Sequence, residues 1–397
     1  MEGWKRTLPI FHPSILPLTV PKKFLKHAPL GLYLFFTLLY ADLGVAIELN
    51  LELESGVSFD GNVFRVPERP VSDSFFIFAP ALSAQHPFHR AFLKLDSRFI
   101  SDRYYHYTEA NFHQISVKGG ARYNLSSHLS FEVNDEWANV QNARQSTLGE
   151  ITTRFSYLSN QLSPLLKYER SNGMAMTVAY SNESRDFKDS SDQDWNTNGA
   201  TLSFFYPLGH KTTAQLRFGA KHKVFGSDIS YLSQFATIEL SRKLLSRFNI
   251  NTQLGWENRT YPSDEKLHSL LVNINITGEL FRKIPITLGF RRPLTDSDIY
   301  AGQALIPMGS ALSLSWDLTS HIQLKVEGDI GRNIYPGFKP SDVRYFGRGQ
   351  IGYKIGTLGT IYLTYEREQI NPQSRDEGFR QGQFGISFVR PVPLFSQ

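Results

Sequence analysis

The six residues Tyr168-Glu169-Arg170-Ser171-Asn172-Gly173 come nearest to a catalytic arrangement. A hydrolase site of the H-x-S-N-G type sets a histidine two residues before the nucleophilic serine, where it takes the hydroxyl proton. Glu169 occupies that position, so Ser171 lacks its adjacent base, and Ser-Asn-Gly reads as a bend at a strand end. Tyr365-Glu366-Arg367 repeats the first three residues without the serine. His86 and His89 flank one short connection, and His128, His210 and His321 sit at others, too scattered to converge on a metal. The chain has no cysteine, which excludes thiolate ligands, a cysteine nucleophile and disulfides. Phosphate-loop and metalloprotease spacings are also missing. The expectation is a protein with no catalytic residues, no metal and no cofactor.

The remaining chemistry lies in charges that alternate with apolar residues. In ALSLSWDLTSHIQLKVEGDIG (311–331), Leu324, Val326 and Ile330 take one face, and Lys325, Glu327 and Asp329 the other. A period of two places successive side chains on opposite faces of a strand. In VRYFGRGQIGYK (343–354), Tyr345 and Ile351 oppose Arg344, Phe346 and Arg348; Arg217 lies between Leu216 and Phe218. Glu366 and Tyr362 alternate with Ile361, Leu363 and Tyr365. If these polar faces line a lumen, Arg217, Lys325, Arg344 and Arg348 could attract anionic sugars, the arginines through forked hydrogen bonds. Phe346 and Tyr362 could stack on sugar rings. The competing reading is that Glu327, Asp329 and Glu366 pair with the cations and brace the wall.

Such faces need strands, and the chain supplies them throughout. Ile47 to Glu54 alternates without a fault; Leu93, Leu95 and Phe99 alternate with Lys94, Asp96 and Arg98. No long amphipathic helix is evident at the 3.6 period. Short connections are expected at 87–90, 124–128, 159–163, 207–211, 244–247, 281–285, 318–321 and 355–359, with longer polar ones between them. That alternation gives about eighteen strands, with sixteen as the runner-up, and short turns on one side with long loops on the other mark an outer-membrane barrel. The expected fold is an all-β, monomeric transmembrane antiparallel up-and-down β-barrel, with short periplasmic turns and longer extracellular loops.

The N-terminus accounts for part of the charge. Residues 1–46 carry five Lys and Arg against Glu2 and Asp42, so +3 of the formal +5 lies there. The pI of 9.1 is therefore no argument for nucleic acid. Lys22, Lys23 and Lys26 precede the apolar run from Ala28 to Ala41, which ends in the small residues Gly44 to Ala46. This pattern is expected to be a secretory signal cleaved after Ala46. The expected organisation is a signal over 1–46, a barrel over 47–390 and a tail over 391–397.

The stretch GVSFDGNVFRVPERPVSDSFFIFAPALSAQHPFHRAFLKLDSRF (56–99) and, more diffusely, RYFGRGQIGYKIGTLGTIYLTYEREQ (344–369) resemble outer-membrane β-barrel porins associated with exopolysaccharide biosynthesis and export. The resemblance implies an integral outer-membrane channel taking part in exopolysaccharide export. Its partners would be outer-membrane lipid, polysaccharide and periplasmic export components, with no nucleic acid. The alternatives are a general diffusion porin for small solutes, a barrel enzyme or a plugged structural scaffold.

Overall fold

A computed structural model describes residues 48–65, 69–143, 155–188, 191–244, 247–263, 265–281, 284–297, 303–337, 341–372 and 379–395. The expected signal and its cleavage point after Ala46 fall in residues 1–47, which lie outside that set. The alternating segments form antiparallel strands: β1 (Glu48–Asp60), β2 (Asp73–Pro87), β3 (Ala91–Tyr104), β4 (Phe112–Asn124), β5 (Leu129–Ala143) and β6 (Phe155–Glu169). Then come β7 (Ala175–Phe187), β8 (Trp195–Gly209), β9 (Thr212–Phe225), β10 (Ser230–Leu244), β11 (Phe248–Thr260) and β12 (Lys266–Leu280). The last are β13 (Ile284–Arg292), the two-residue β14 (Thr295–Asp296), β15 (Ala304–Asp317), β16 (Ile322–Ile334), β17 (Ser341–Ile355), β18 (Gly359–Pro372) and β19 (Phe379–Phe395). Each long strand pairs with its sequence neighbours, and β1 pairs with both β2 and β19, which closes the sheet into a barrel of eighteen long strands. Closure pairs both edge strands of the sheet with each other, so among the described residues no full-length strand edge is left bare.

Register fixes which side chains share a face. Leu324 pairs with Ile351 and Ile351 with Leu363, so all three point one way; Lys325, Gln350 and Thr364 point the other. The apolar set is outward. Phe218, Trp256 and Ile386 are 47%, 50% and 50% exposed on the wall, an arrangement stable only against lipid. Among the described residues no helix is long and apolar enough to cross a membrane; the crossing is made by strands.

Two of the short turns are built alike. In Leu125-Ser126-Ser127-His128 the Ser126 hydroxyl accepts the backbone N–H of His128 and Leu129. In Leu318-Thr319-Ser320-His321 the Thr319 hydroxyl accepts those of His321 and Ile322. Each following histidine contacts the hydroxyl of the serine before it. Local side-chain acceptors of this kind close turns without lengthening them.

Two expectations require correction. The short turn expected at 159–163 lies in the middle of β6, and the chain reverses instead over residues 170–174. Ser159, Asn160, Gln161 and Ser163 read as turn chemistry by type, but Asn160 is held on the wall by Asp135, 3.2 Å away. The true reversal uses Ser171-Asn172-Gly173: Gly173 has φ of +82°, open to glycine, and Asn172 Oδ1 accepts the Met174 N–H. Arg170, Ser171 and Gly173 lie in this turn, so the bend expected there is where the structure places it. The second correction is the tail. β19 continues through residue 395, with Pro391 opposite Glu52 and Pro393 opposite Asn50. β18 pairs only as far as Val389, so beyond it one side of β19 is unpaired and proline's missing N–H breaks no ladder.

Candidate functional site

The inward face gathers the polar side chains, and it does so in two different ways. Near the extracellular end, segments of the loops fold onto the inner wall. Asp60, at the end of β1, is fully buried. Its Oδ1 accepts the Asn62 N–H at 2.9 Å and Gln381 Nε2 at 2.8 Å. Its Oδ2 accepts the Tyr104 hydroxyl at 3.1 Å and Gln383 Nε2 at 3.2 Å. One carboxylate thus turns the chain inward and ties it to β3 and β19. Val63 is then buried among Phe75, Tyr104 and Ala110, with Phe64 and Val71 packed against them. Asp73 fastens the next loop, accepting the His106 and Tyr107 N–H groups at 2.8 and 2.9 Å. Beyond Val63, Arg65 adopts a left-handed φ of +53° and places a guanidinium nitrogen 3.2 Å from Glu368 Oε2. The other oxygen of Glu368 accepts Arg344 Nε at 2.8 Å.

A second inward segment carries β14. Asp296 accepts Lys223 Nζ at 2.8 Å, the Tyr231 hydroxyl at 2.9 Å and an Arg259 guanidinium nitrogen at 2.7 Å. Burial pushes the Asp296 carboxyl up, but Arg259 and then Lys223 outweigh it and hold the group below its ordinary value. Lys223 also lies over the Trp195 ring, 3.7 Å from its centroid. Beside this lock is a cavity of about 320 Å³, lined by Glu183, Arg185, Trp195 and Lys221 among others.

Deeper in the barrel the inward groups are looser. Arg348 is 3.5 Å from Glu366 and 3.9 Å from Glu327, and its side chain is 43% exposed. Lys325 pairs with Glu327 at 2.8 Å with both partly exposed. Comparable partly exposed pairs, such as Lys118–Glu136 and Arg122–Glu132, line β4 and β5.

Register places all nine residues singled out in the sequence on the inward face. Arg217 lies between Ser203 and Thr237. Lys325, Glu327 and Asp329 share β16; Arg344, Phe346 and Arg348 share β17; Tyr362 and Glu366 share β18. Eight of them lie on these three adjacent strands, and Arg217 is apart from them on β9. Arg344 stacks over Phe346 at 5.4 Å and lies 3.9 Å from Asp329, so it belongs to the braced part. Tyr362 lies over Gly352, where an added Cβ would come 2.8 Å from its ring. Sequence reasoning missed Asp60, Arg65, Glu368 and Asp296. The first two stood within the quoted DGNVFR stretch, whereas nothing local marks Asp296, whose partners lie 37 to 73 positions away.

No protein-family model and no curated protein sequence matches this chain. Solved structures do. OpdK of Pseudomonas aeruginosa is 12% identical, with 88% of this chain and 100% of that one covered at a TM-score of 0.51. A BenF-like porin of Pseudomonas fluorescens Pf-5 is 12% identical, covering 87% and 99% at 0.53. OccK2 (OpdF) of Pseudomonas aeruginosa, solved in complex with glucuronate, is 12% identical, covering 88% and 98% at 0.52. The fold is that of the outer-membrane porins, and the outward apolar band is the surface that seats such a barrel in the outer membrane.

Proposed function

We propose that this protein is an outer-membrane diffusion porin for small solutes. The observation that carries the reading is the contrast within the lumen. Inward loop segments are fastened to the wall near the extracellular end, while the middle keeps half-exposed charges of both signs, Arg348, Lys325 and Glu327 among them. Charged linings at close quarters select by size and sign without covalent chemistry. The glucuronate held by OccK2 makes a sugar acid the first solute to try.

Passage of exopolysaccharide, expected from the sequence resemblance, is the weaker reading. The packing of Val63, Phe64 and Val71 onto the inner wall takes up room that a polymer would need. Periplasmic export components would be required partners only under that reading.

Reconstitution tests the choice. In planar bilayers the full barrel should conduct, and liposomes containing it should swell in monosaccharide and glucuronate solutions but not in a long-chain glycan. A barrel without conductance would overturn the porin reading. Periplasmic accumulation of polysaccharide on deleting the gene, with small-solute uptake unchanged, would restore the glycan conduit.

A further inference from the structure

Most of the outward wall is apolar, but over β16 to β19 its extracellular half is not. Register projects Arg332, Arg367 and Arg380 outward from β16, β18 and β19: Arg332 pairs with Val343, Arg367 with Gly347 and Gly382, Arg380 with Gln369. All three are exposed. Arg332 gives its Nε to the Ser341 hydroxyl at 3.1 Å. Among the described residues none of the three has a carboxylate at ion-pair distance, in contrast to Arg344 and Arg348 on the inner face. The outward positions from Gly328 to Ile334, Ser341 to Gly347, Arg367 to Asn371 and Arg380 to Phe384 include no Asp or Glu.

The wall around Arg367 is also hollowed. Gly328, Gly347, Arg367 and Gly382 form one row across four strands. A Cβ at Gly347 would meet nothing within 4 Å, and at Gly382 only the Tyr365 hydroxyl, at 3.9 Å. Tyr345 and Tyr365, 44% and 52% exposed, border the row. Below it the wall is apolar, with Phe384 and Ile386 about half exposed. Arg367 and Arg380 are diagonal neighbours, with Cα atoms roughly 7–8 Å apart, close enough for two guanidinium forks to share one phosphate.

From this charge complementarity we propose that the β16–β19 face binds a phosphorylated glycolipid of the outer leaflet. Arg367 and Arg380 hold a phosphate, Arg332 reaches the headgroup nearer the loops, and the glycine row receives the root of an acyl chain. A ligand with both phosphate and hydrocarbon fits because the basic cluster runs directly into the lipid-facing band. A soluble anion would use only the upper half.

The test uses the full chain, purified and delipidated in a zwitterionic detergent, titrated with bisphosphorylated lipid A and with the same lipid after phosphate removal. The phosphorylated form should bind at least tenfold more tightly. Arg367→Gln with Arg380→Gln should abolish that difference. Arg390→Gln, outward opposite Leu53 at the other end of β19, should leave it intact. Equal binding of the two lipids by the unaltered barrel overturns the proposal, as does a difference that survives the double substitution or vanishes equally in the Arg390 variant. Competition by millimolar inorganic phosphate as effective as by lipid A would instead mark a free-anion site and overturn the lipid assignment. Should the double variant not assemble, the comparison of the two lipids on the unaltered barrel still decides.

Discussion

Arg344 and Arg348 stand four residues apart on the same face of β17, yet they occupy different media. The side chain of Arg344 is 11% exposed and its Nε lies 2.8 Å from Glu368. That of Arg348 is 43% exposed, with its nearest carboxylate 3.5 Å away. Their own strand does not make the difference. The segment after β1 covers the first and not the second, because Arg65 takes the remaining oxygen of Glu368. A loop fastened by Asp60 thus converts one stretch of lumen into solid interior and leaves the next as water-facing lining. In the interior, removing one partner strands a charge; in the lining, water and salt compensate.

The largest effect should come from Glu368→Ala, which removes the buried carboxylate that Arg344 and Arg65 share. A loss of about 3–5 kcal/mol is expected, against about 1 kcal/mol or less for Glu366→Ala beside Arg348. Urea unfolding of both variants in the same lipid measures the gap, and equal losses would erase the distinction between the two arginines.

The Asp296 lock extends the comparison to the other inward segment. Because its carboxyl is held below the ordinary aspartate value, its contribution is complete above the unfolded pKa of roughly 3.9 and is lost as pH falls through the lower folded value. Docking of the β13–β15 loop should therefore be the same at pH 8 and pH 5 and fail only in stronger acid. Asp296→Asn should free it at every pH, at a cost of about 3 kcal/mol. Protease cleavage of the loop on intact cells reads both; release already at pH 6 would show that Asp296 is not the clasp.

A third pair of variants asks about the medium on the far side of the wall. Leu324→Arg puts a charge towards lipid and should cost about 2–4 kcal/mol near the membrane midplane. Lys325→Gln, facing the lumen, should change stability by no more than about 0.5 kcal/mol, in line with surface substitutions elsewhere. Similar losses for the two would reverse the assignment of faces.

The smallest energetic change should be the most informative about passage. Arg348→Gln should barely alter stability, yet move the reversal potential of the reconstituted pore towards cation selectivity. Arg344→Gln should weaken the barrel while leaving the potential of assembled pores nearly unchanged. A larger shift from Arg344 would mean that the covered arginine, not the open one, meets the permeating ions.

Alternation made the wall legible in the sequence, because a half-lipid, half-water environment imposes a period of two on every strand. Lys325 and Leu324 could be assigned to opposite faces from spacing alone. The turn at 159–163 was misread because turn chemistry is local: a run of Ser, Asn and Gln looks the same whether it bends or pairs across strands, as Asn160 does with Asp135. Whether an inward charge is bare or covered was not legible at all. Arg344 and Arg348 have similar neighbours in sequence, and what separates them is Arg65, nearly three hundred positions earlier. The same holds for Asp296, whose role depends on three partners on other strands.

The seam between β1 and β19 has a consequence for how the molecule is made. Ser58 donates to the carbonyl of Phe384 across 326 positions of chain, and the residues around them pair along almost the whole height of the wall. Such contacts are the most non-local the chain can form, and their loop-closure entropy must be met before any of their pairing is gained. Seventeen hairpin-linked strands can therefore assemble as an open curved sheet, each step local, while the final zipper waits for the last strand to arrive. Until then the growing sheet carries two bare edges, the state most exposed to mispairing with other chains. Cysteines introduced at Ser58 and Gly385, which face each other across the seam, would report that moment as a timed crosslink during assembly.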